Sequence, residues 1–487
     1  MAIRLSGMVS GLDTESLVKE MMSAQNMKKT KVEGKITKLE WKKDKWKELN
    51  TKIYALYTGS LSKIKTQGSY QAKKVSTSND AAATITAGNN AVEGSHSLEV
   101  KSLASAQYVT GAAISKDKND ADITINSTTK LKDLGVENTI TIQSAKGPFT
   151  LDITDDTTVD NFLSKCKEAG LNASFDTNQK RFFISSKESG VENAFTIEGA
   201  NLDKLGLGNG QVTTVNAADC EIIYNGATLT SSSNTISVNG VTISANAVTS
   251  TPINISVTKD TQKVYDMVKD FVKSYNELLK EMNECYYADS AKGYDVLTEE
   301  EEEAMTEDQV EKWNNKIKDS LLRRDSSLGG LLTSMKSALS SKVPVGGKEL
   351  TLVNFGIHTT DYTEKGLLHI DGDPDDSAVS DKTDKLMKAI EEDPDAVMEA
   401  LSGIASNLYS TMNEKMKSSS LSSALTYYND KEIDKTMTRY KDELAKLEVR
   451  LQKIEDRYYN QFTAMETAMA KLNSQSSYFS QLSGGGQ

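Results

Sequence analysis

The sequence predicts an α+β multidomain protein, in which long terminal coiled-coil helices and a helical domain bracket an inserted β-rich head of two β domains. Three observations carry that expectation. Apolar residues recur at helical spacing near both ends, residues 76–258 alternate with a period of two, and the last long apolar stripe keeps a heptad step. A length of 487 residues is enough for about three domains.

The first helix is expected over residues 14–66. Asp13 is placed to cap it, Glu15 stands in the first turn, and Leu17, Met21, Val32, Ile36, Leu39, Trp46, Ile53, Leu56 and Ile64 follow at helical intervals. Proline is absent, and Gly34 and Gly59 are the weak points. Residues 76–258 are rich in Thr, Ser, Asn and Gly, with alternating runs at 97–101, 149–153 and 181–185 that read as half-buried antiparallel strands. Asn239-Gly240 between two such runs predicts a type I′ hairpin, because both central residues need positive φ. One helix is expected inside this region at 159–169, capped by Thr158 or Thr157 and ended by Gly170.

Helical spacing returns after Asp260 with Val264, Met267, Val268, Phe271, Tyr275, Leu278, Leu279 and Met282. Thr298 and Glu301 form a capping box, a short β or irregular stretch covers 343–372, and helices resume near Asp381 and at Asp395 after Pro394. In the last helix Ile433, Met437, Tyr440, Leu444, Leu447, Leu451, Ile454 and Tyr458 step 4-3-4-3-4-3-4, a left-handed coiled-coil seam. The step of four from Tyr458 to Phe462 is a stutter that locally unwinds it. As one helix, residues 431–480 would be about 75 Å long. The simplest way to bury both terminal stripes is to pack the N-terminal helix on the C-terminal one, with copies from other chains adding to the pair. The glycine-rich tail from 483 onward reads as flexible.

Composition excludes several function classes. The 57 basic and 69 acidic residues give a net charge of −12, which argues against nucleic acid as a partner. Three widely spaced cysteines make no disulfide scaffold or thiolate zinc site, and three histidines make no multi-histidine metal centre. No apolar run reaches 18 residues, so no membrane insertion is expected. The N-terminus lacks an apolar core and a cleavage signal, which suits a cytosolic protein or one exported without a cleaved signal peptide.

The local candidates for chemistry each have a plainer reading. Asp371-Gly-Asp373-Pro-Asp375-Asp376 opens like a calcium loop, but the sixth and twelfth positions hold Asp376 and Lys382 where an EF-hand needs Gly and Glu; an acidic turn before a helix is the better reading. His358 and His369 flank one segment without a third nitrogen or sulfur ligand nearby. His96 reads as a surface residue. Gly206-Leu-Gly208-Asn-Gly210 opens no clear helix, and Gly346-Gly347-Lys348 lacks the first Walker glycine. The lysine-dense stretch 28–52, with Trp41 and Trp46 interleaved, reads as a solvated helix face or the complement of an acidic partner. The run Glu299 to Glu303 suits a helix start. These readings leave no catalytic, cofactor-binding or metal site, so no enzyme and no cofactor are expected.

Short motifs in a fixed order then point to one family. Residues 10–18 (Ser-Gly-Leu-Asp-Thr-Glu-Ser-Leu-Val), 100–107, 156–190, 218–226 and 233–242 resemble segments of the flagellar hook-associated protein 2 family, the flagellar filament cap. Leu297-Thr-Glu-Glu, Glu311-Lys-Trp313, 321–325, Leu352-Val-Asn-Phe-Gly-Ile357, Gly366-Leu-Leu-His-Ile-Asp371, 393–397 and 472–478 are similar to it as well. The resemblance covers nearly the whole chain.

It implies structural work at the distal flagellar tip: retaining exported flagellin and promoting its folding and insertion. The implied partners are the chain itself in a ring-like homo-oligomer (pentamer or hexamer), flagellin, hook-associated junction proteins, a cytosolic export chaperone at the C-terminal helix, and host mucin. The implied location is secreted and extracellular. The implied domains are a leg helix at 1–42 pairing with 445–487, a helical core of 43–75 plus 260–444, a first β domain of 76–115 plus 214–259, an inserted second β domain of 116–213, and the C-terminal leg and tail at 445–487. The oligomer or filament interface is expected at Leu12, Leu17, Met21, Leu444, Leu447, Leu451, Ile454, Tyr458 and Phe462. A hook–filament junction protein and an adhesin binding mucin or carbohydrate through the β head are the alternatives.

Overall fold

The computed structural model describes residues 11–483. The opening motif before Gly11 and the tail after Ser483 lie outside the described residues. The chain divides into two compact units, one made of residues up to Tyr70 together with those from Gln262 onward, the other of Gln71–Thr261. In chain order the α-helices are α1 (Thr14–Thr58), α2 (Ser60–Lys65), α3 (Val159–Glu168), α4 (Thr261–Tyr286), α5 (Glu299–Glu303), α6 (Glu307–Asp319), α7 (Ser326–Leu339), α8 (Lys385–Glu392), α9 (Pro394–Lys415) and α10 (Asp430–Ser483).

The capping chemistry read from the sequence sets most of these ends. The Asp13 carboxylate accepts the Ser16 backbone N–H at 3.0 Å. That bond and the Ser16 hydroxyl hold the carboxyl below its ordinary value, the hydroxyl contributing most. Thr158 and Asn161 close a capping box on α3, as Thr298 and Glu301 do on α5. Pro394 occupies the first turn of α9 behind its cap Asp393. The helix expected over 14–66 is interrupted at Gly59, where ψ is −112°. A Cβ there would lie 2.6 Å from the Ala55 carbonyl oxygen, so the break is built on glycine. Gly34 stays helical.

The helical unit has one large core. The inner half of α1 supplies Trp46, Leu49, Ile53 and Leu56, α4 supplies Val268, Phe271, Tyr275, Leu279 and Met282, and α7 and α9 add Met335, Leu401, Leu408 and Met412. The apolar positions of α4 that the spacing singled out face this core, Met267 only in part. Two short ribbons complete it: 343–345 with 348–350, turned by Gly346 and Gly347 at positive φ, and 357–358 with 369–370.

Both terminal helices are rooted here. Trp46 stacks on Tyr428, just before α10, with ring centroids 5.2 Å apart. The Asn50 amide bonds both sides of the same loop, donating to the Leu425 carbonyl (3.1 Å) and accepting from the Tyr427 N–H (2.9 Å). Leu425 sits at φ +63°, a strained conformation for a branched side chain that this clamp holds in place.

The β unit holds two cores. In the first, an antiparallel sheet orders Lys73–Thr77, Ile253–Lys259, Gly94–Ser102, Cys220–Tyr224 and Ala227–Ser231. A three-stranded sheet of Thr235–Val238, Val241–Ala245 and Ala83–Ala87 packs on it around Leu98, Val100, Ile222, Val241, Ile243 and Ile255. The Asn239-Gly240 hairpin forms as read, with φ of +49° and +78°. In the second core, α3 and two antiparallel sheets enclose Ile140, Ile142, Phe162, Phe182, Leu131 and Leu134. The chain passes between the cores where Ser105 bridges Ala218. Val109 and Ile114 already pack in the second core, so the crossover precedes the break expected at residue 116.

Removing the clamp should uncouple the root. Asn50→Ala leaves the Leu425 carbonyl and Tyr427 N–H without a partner and is expected to destabilise the helical unit by about 1–3 kcal/mol. Urea unfolding followed at 222 nm checks this; an unchanged midpoint would contradict the clamp.

Candidate functional site: the paired terminal helices

From the root outward, α1 and α10 run antiparallel. Lys43 pairs with Asp434, Lys441 with Glu40 at 3.6 Å, and Lys29 with Glu448 at 3.4 Å, while the Lys35 ammonium lies 5.5 Å from the centre of the Tyr440 ring. Farther out, Val18, Met22 and Leu451 form a small buried cluster, with Ile454, Tyr458, Tyr459 and Phe462 partly buried around it. The heptad stripe of α10 is thus the covered face, but thinly covered. Ile433 and Leu451 are buried, and Met437, Tyr440, Leu444, Leu447, Ile454, Tyr458 and Phe462 are half-buried. One helix of partner surface does not cover a seam this long.

On α1 the packed face differs from the one expected. Leu17 and Met21 are 37% and 42% exposed and Leu12 is 45% exposed, whereas the neighbours Val18 and Met22 point into the pair. The packed positions Val18, Met22, Lys29, Val32, Ile36 and Leu39 keep heptad phase through Gln25. Adjacent apolar doublets at 17–18 and 21–22 let the straight-helix period select the wrong member. The signal that finds Val18 and Met22 is the seam of the partner helix, extended to α1. Val449, Leu472, Tyr478 and Phe479 of α10 are 58–71% exposed. The outer pair therefore presents apolar side chains of both helices to solvent.

The lysine-rich stretch of α1 meets acidic partners within the chain. Besides Asp434 and Glu448 on α10, Lys52 bonds Glu281 of α4 at 2.7 Å. A strap formed by residues 287–325 lies along α1. Lys38 donates to Asp295 (2.9 Å) and to the Tyr294 carbonyl (3.1 Å), Lys42 pairs with Asp325 (2.7 Å), and Lys318 sits over the Trp41 ring at 5.0 Å. Trp313 on α6 anchors the strap by donating to the Asp295 carbonyl at 2.8 Å. This strap was not legible in the sequence, because two of its bonds go to backbone oxygens and its ion pairs join residues more than 250 positions apart.

The remaining chemical candidates resolve into packing. Lys269 binds Asp373 and Asp375 at 2.5 and 2.6 Å. Burial alone would depress that ammonium, and the two carboxylates outweigh burial, holding it above its usual value. Asp371 takes His358, Lys382 and Lys385, and His369 takes Glu364 and Asp376. The acidic turn is therefore taken up by lysine and histidine partners within the protein. Among the described residues no group of three His, Cys, Asp or Glu side chains is arranged to hold a metal. His96, read as a surface residue, is half-buried and stacks on Tyr224. A Cβ at Gly206 would lie 2.4 Å from the Ala112 carbonyl, so that glycine serves close backbone packing. All three cysteines are free and buried, and burial pushes the Cys166 thiol up to about 12. Among the described residues no helix is long and apolar enough to cross a membrane.

Comparison with known proteins decides the family. The profile described as flagellar hook-associated protein 2 C-terminus matches residues 217–474, and that of the N-terminus of the same protein matches 10–107. The chain belongs to the flagellar hook-associated protein 2 family. The flagellar hook-associated protein 2 of Halalkalibacterium halodurans is 26% identical over 97% of this chain and 98% of its own, and that of Escherichia coli K12 is 25% identical over 98% and 97%. The D1-D2-D3 domains of the flagellar cap protein FliD from Escherichia coli share the fold, with a TM-score of 0.51 at 22% identity over 74% of this chain and 94% of that one. The hook-associated protein 2 family is that of the flagellar filament cap, and its long terminal helices with inserted sheets are the α+β architecture found here.

A staple tests the strap. A Cβ on Gly34 would lie 3.6 Å from the Val296 Cβ, within disulfide range. The double variant Gly34→Cys, Val296→Cys should oxidise to an intrachain bridge and stabilise the helical unit by about 2–4 kcal/mol over its reduced form. Urea unfolding with and without reductant reads the effect. Failure to bridge would contradict the placement of the strap on α1.

Proposed function

We propose that this chain caps the distal tip of the flagellar filament, with the outer α1–α10 pair as the leg that engages the assembly. The observation that carries the reading is the half-covered seam: Leu444, Leu447, Ile454, Tyr458 and Phe462 are partly exposed on α10, while Leu17 and Met21 on α1 and Leu12 just before it are exposed. Side chains of this kind are stabilised by neighbouring helices, and a structure that closes a tube acquires them by rotation. The neighbours are copies of the chain in a ring-like homo-oligomer of five or six subunits, and flagellin at the filament end.

Residues 1–42 and 445–487 are the legs in this reading, and 43–75 with 260–444 are the core that roots them. The two β domains, which exchange the chain at Ser105 and Ala218, are the plate that retains exported flagellin while it folds and inserts. In this reading the protein is exported to the extracellular tip and adjoins the hook-associated junction proteins during assembly. Before export a cytosolic chaperone covers the C-terminal helix. The work is structural, with no catalysis, cofactor or metal. Attachment to host mucin through the β head would be a further role and is not needed for capping.

The double variant Leu447→Asp, Leu451→Asp tests the leg. Placing two carboxylates on the seam should cost about 2 kcal/mol or more locally, from lost burial and unpaired charge. The strand signal of the β unit in circular dichroism should persist, while filament growth is lost and unpolymerised flagellin accumulates in the medium. Normal swimming with filaments of normal length would contradict the assignment.

A further inference from the structure

We propose that the loop 356–385 is a proton-dependent fastening of the helical core, closed only when His358 and His369 are both doubly protonated. The two residues face each other across the short ribbon Ile357–His358 and His369–Ile370. His369 Nδ1 lies 2.6 Å from an Asp376 oxygen and its Nε2 lies 2.9 Å from a Glu364 oxygen. His358 Nε2 lies 2.8 Å from an Asp371 oxygen and its Nδ1 lies 3.2 Å from the Thr359 carbonyl oxygen. All four ring nitrogens face atoms that only accept. An imidazolium donates from both nitrogens; a neutral imidazole turns one lone pair toward an acceptor.

His96 supplies the internal contrast. Its Nδ1 lies 3.0 Å from the Asn225 amide nitrogen and its Nε2 3.0 Å from the Val92 carbonyl. The Asn225 oxygen is already committed to the Ser97 N–H at 2.9 Å, so its nitrogen is the group facing the ring. One donor and one acceptor satisfy the neutral tautomer of His96. The other two histidines have no such arrangement.

The mismatch is costlier at His369 than at His358, whose side chain is 23% exposed. The His369 side chain is 9% exposed and that of Asp371 4%. The other charges around the ribbon come from each packed element. Lys382, and Lys385 of α8, face Asp371 at 3.4 and 3.2 Å, and Lys269 of α4 holds Asp373 and Asp375. Tyr265 of α4 is near Asp384 and Asp373, and Lys336 of α7 is near Lys365, with its Cε 3.1 Å from the position a Cβ on Gly366 would take. Thr360 binds Glu364. Ile357, Leu368 and Ile370 on this loop are buried in the core, so opening the ribbon exposes them.

The sign follows from the donors. The imidazolium bonds are present where both rings carry two protons and are lost as rising pH removes one from each. The carboxylates bound the other side. The Thr360 hydroxyl, with His369, holds Glu364 below its ordinary value; burial would raise Asp371, and His358, Lys385 and Lys382 outweigh burial and lower it. Their contribution is lost only as pH falls through those depressed values. The fastening therefore holds from the acid range up to imidazole titration and loosens above it.

Ring nitrogen NMR on the full chain resolves this, since there are only three histidines to assign. With the loop closed at pH 5.5, His358 and His369 should show two protonated nitrogens each. Amide exchange protection of 356–371, corrected for intrinsic rates, should fall at least tenfold between pH 5.5 and 8.5. Protection at 48–57 should stay constant. His369→Gln should abolish that pH response. A neutral ring in His358 or His369 while the loop amides stay protected would overturn the proposal, and so would protection independent of pH in the wild-type chain, whether or not the variant folds.

Discussion

The stacking of Trp46 on Tyr428 is the contact on which the rest of the helical unit depends. It joins the two ends of a 487-residue chain at one point in the core, so both terminal helices must leave that point side by side and antiparallel. At the root their apolar residues share a core with α4, α7 and α9. Farther out each has only the other. An isolated pair of helices is marginal in water, because helix formation is offset by packing only where side chains are covered. The cluster of Val18, Met22 and Leu451 is small beside the root core, and burial thins toward the tips.

The ions along the pair do not compensate for that thinness. The Lys29–Glu448 and Lys441–Glu40 contacts involve exposed side chains, and such pairs contribute about 0–1 kcal/mol each. Their effect is on register: they match one level of α1 with one level of α10 and disfavour a slip of a turn. The strap extends the same economy to the other side of α1, where Lys38 and Lys42 find Asp295 and Asp325. The basic stretch, which reads in isolation as a solvated helix face or the complement of an acidic partner, is mostly paired within the chain.

Legibility in the sequence followed the strength of the periodic signal. The α10 seam was readable because polar residues separate its apolar positions; the α1 seam was not, because Leu17-Val18 and Met21-Met22 offer two faces of equal hydrophobicity. The Asn239-Gly240 hairpin was readable because its backbone demands those residues. The passage between the β cores at Ser105 and Ala218 was misjudged, since a strand that changes partner sheet keeps the same alternation. The acidic turn at 371–376 could not be assigned from sequence: its partner Lys269 lies a hundred residues earlier, and local spacing carries no trace of it. The Asn50 clamp was invisible for a similar reason, its partners being backbone groups of 425 and 427.

Under-partnering of the outer pair is the property from which the cap reading draws its force, and hydrogen exchange measures it directly. Amides of α1 at 14–29 and of α10 at 451–472 should exchange quickly in the isolated protein and become strongly protected once it is assembled on filament ends, while those at 46–57 remain protected throughout. Equal, high protection of the outer amides before and after assembly would contradict it, because the pair would then need nothing beyond its own chain.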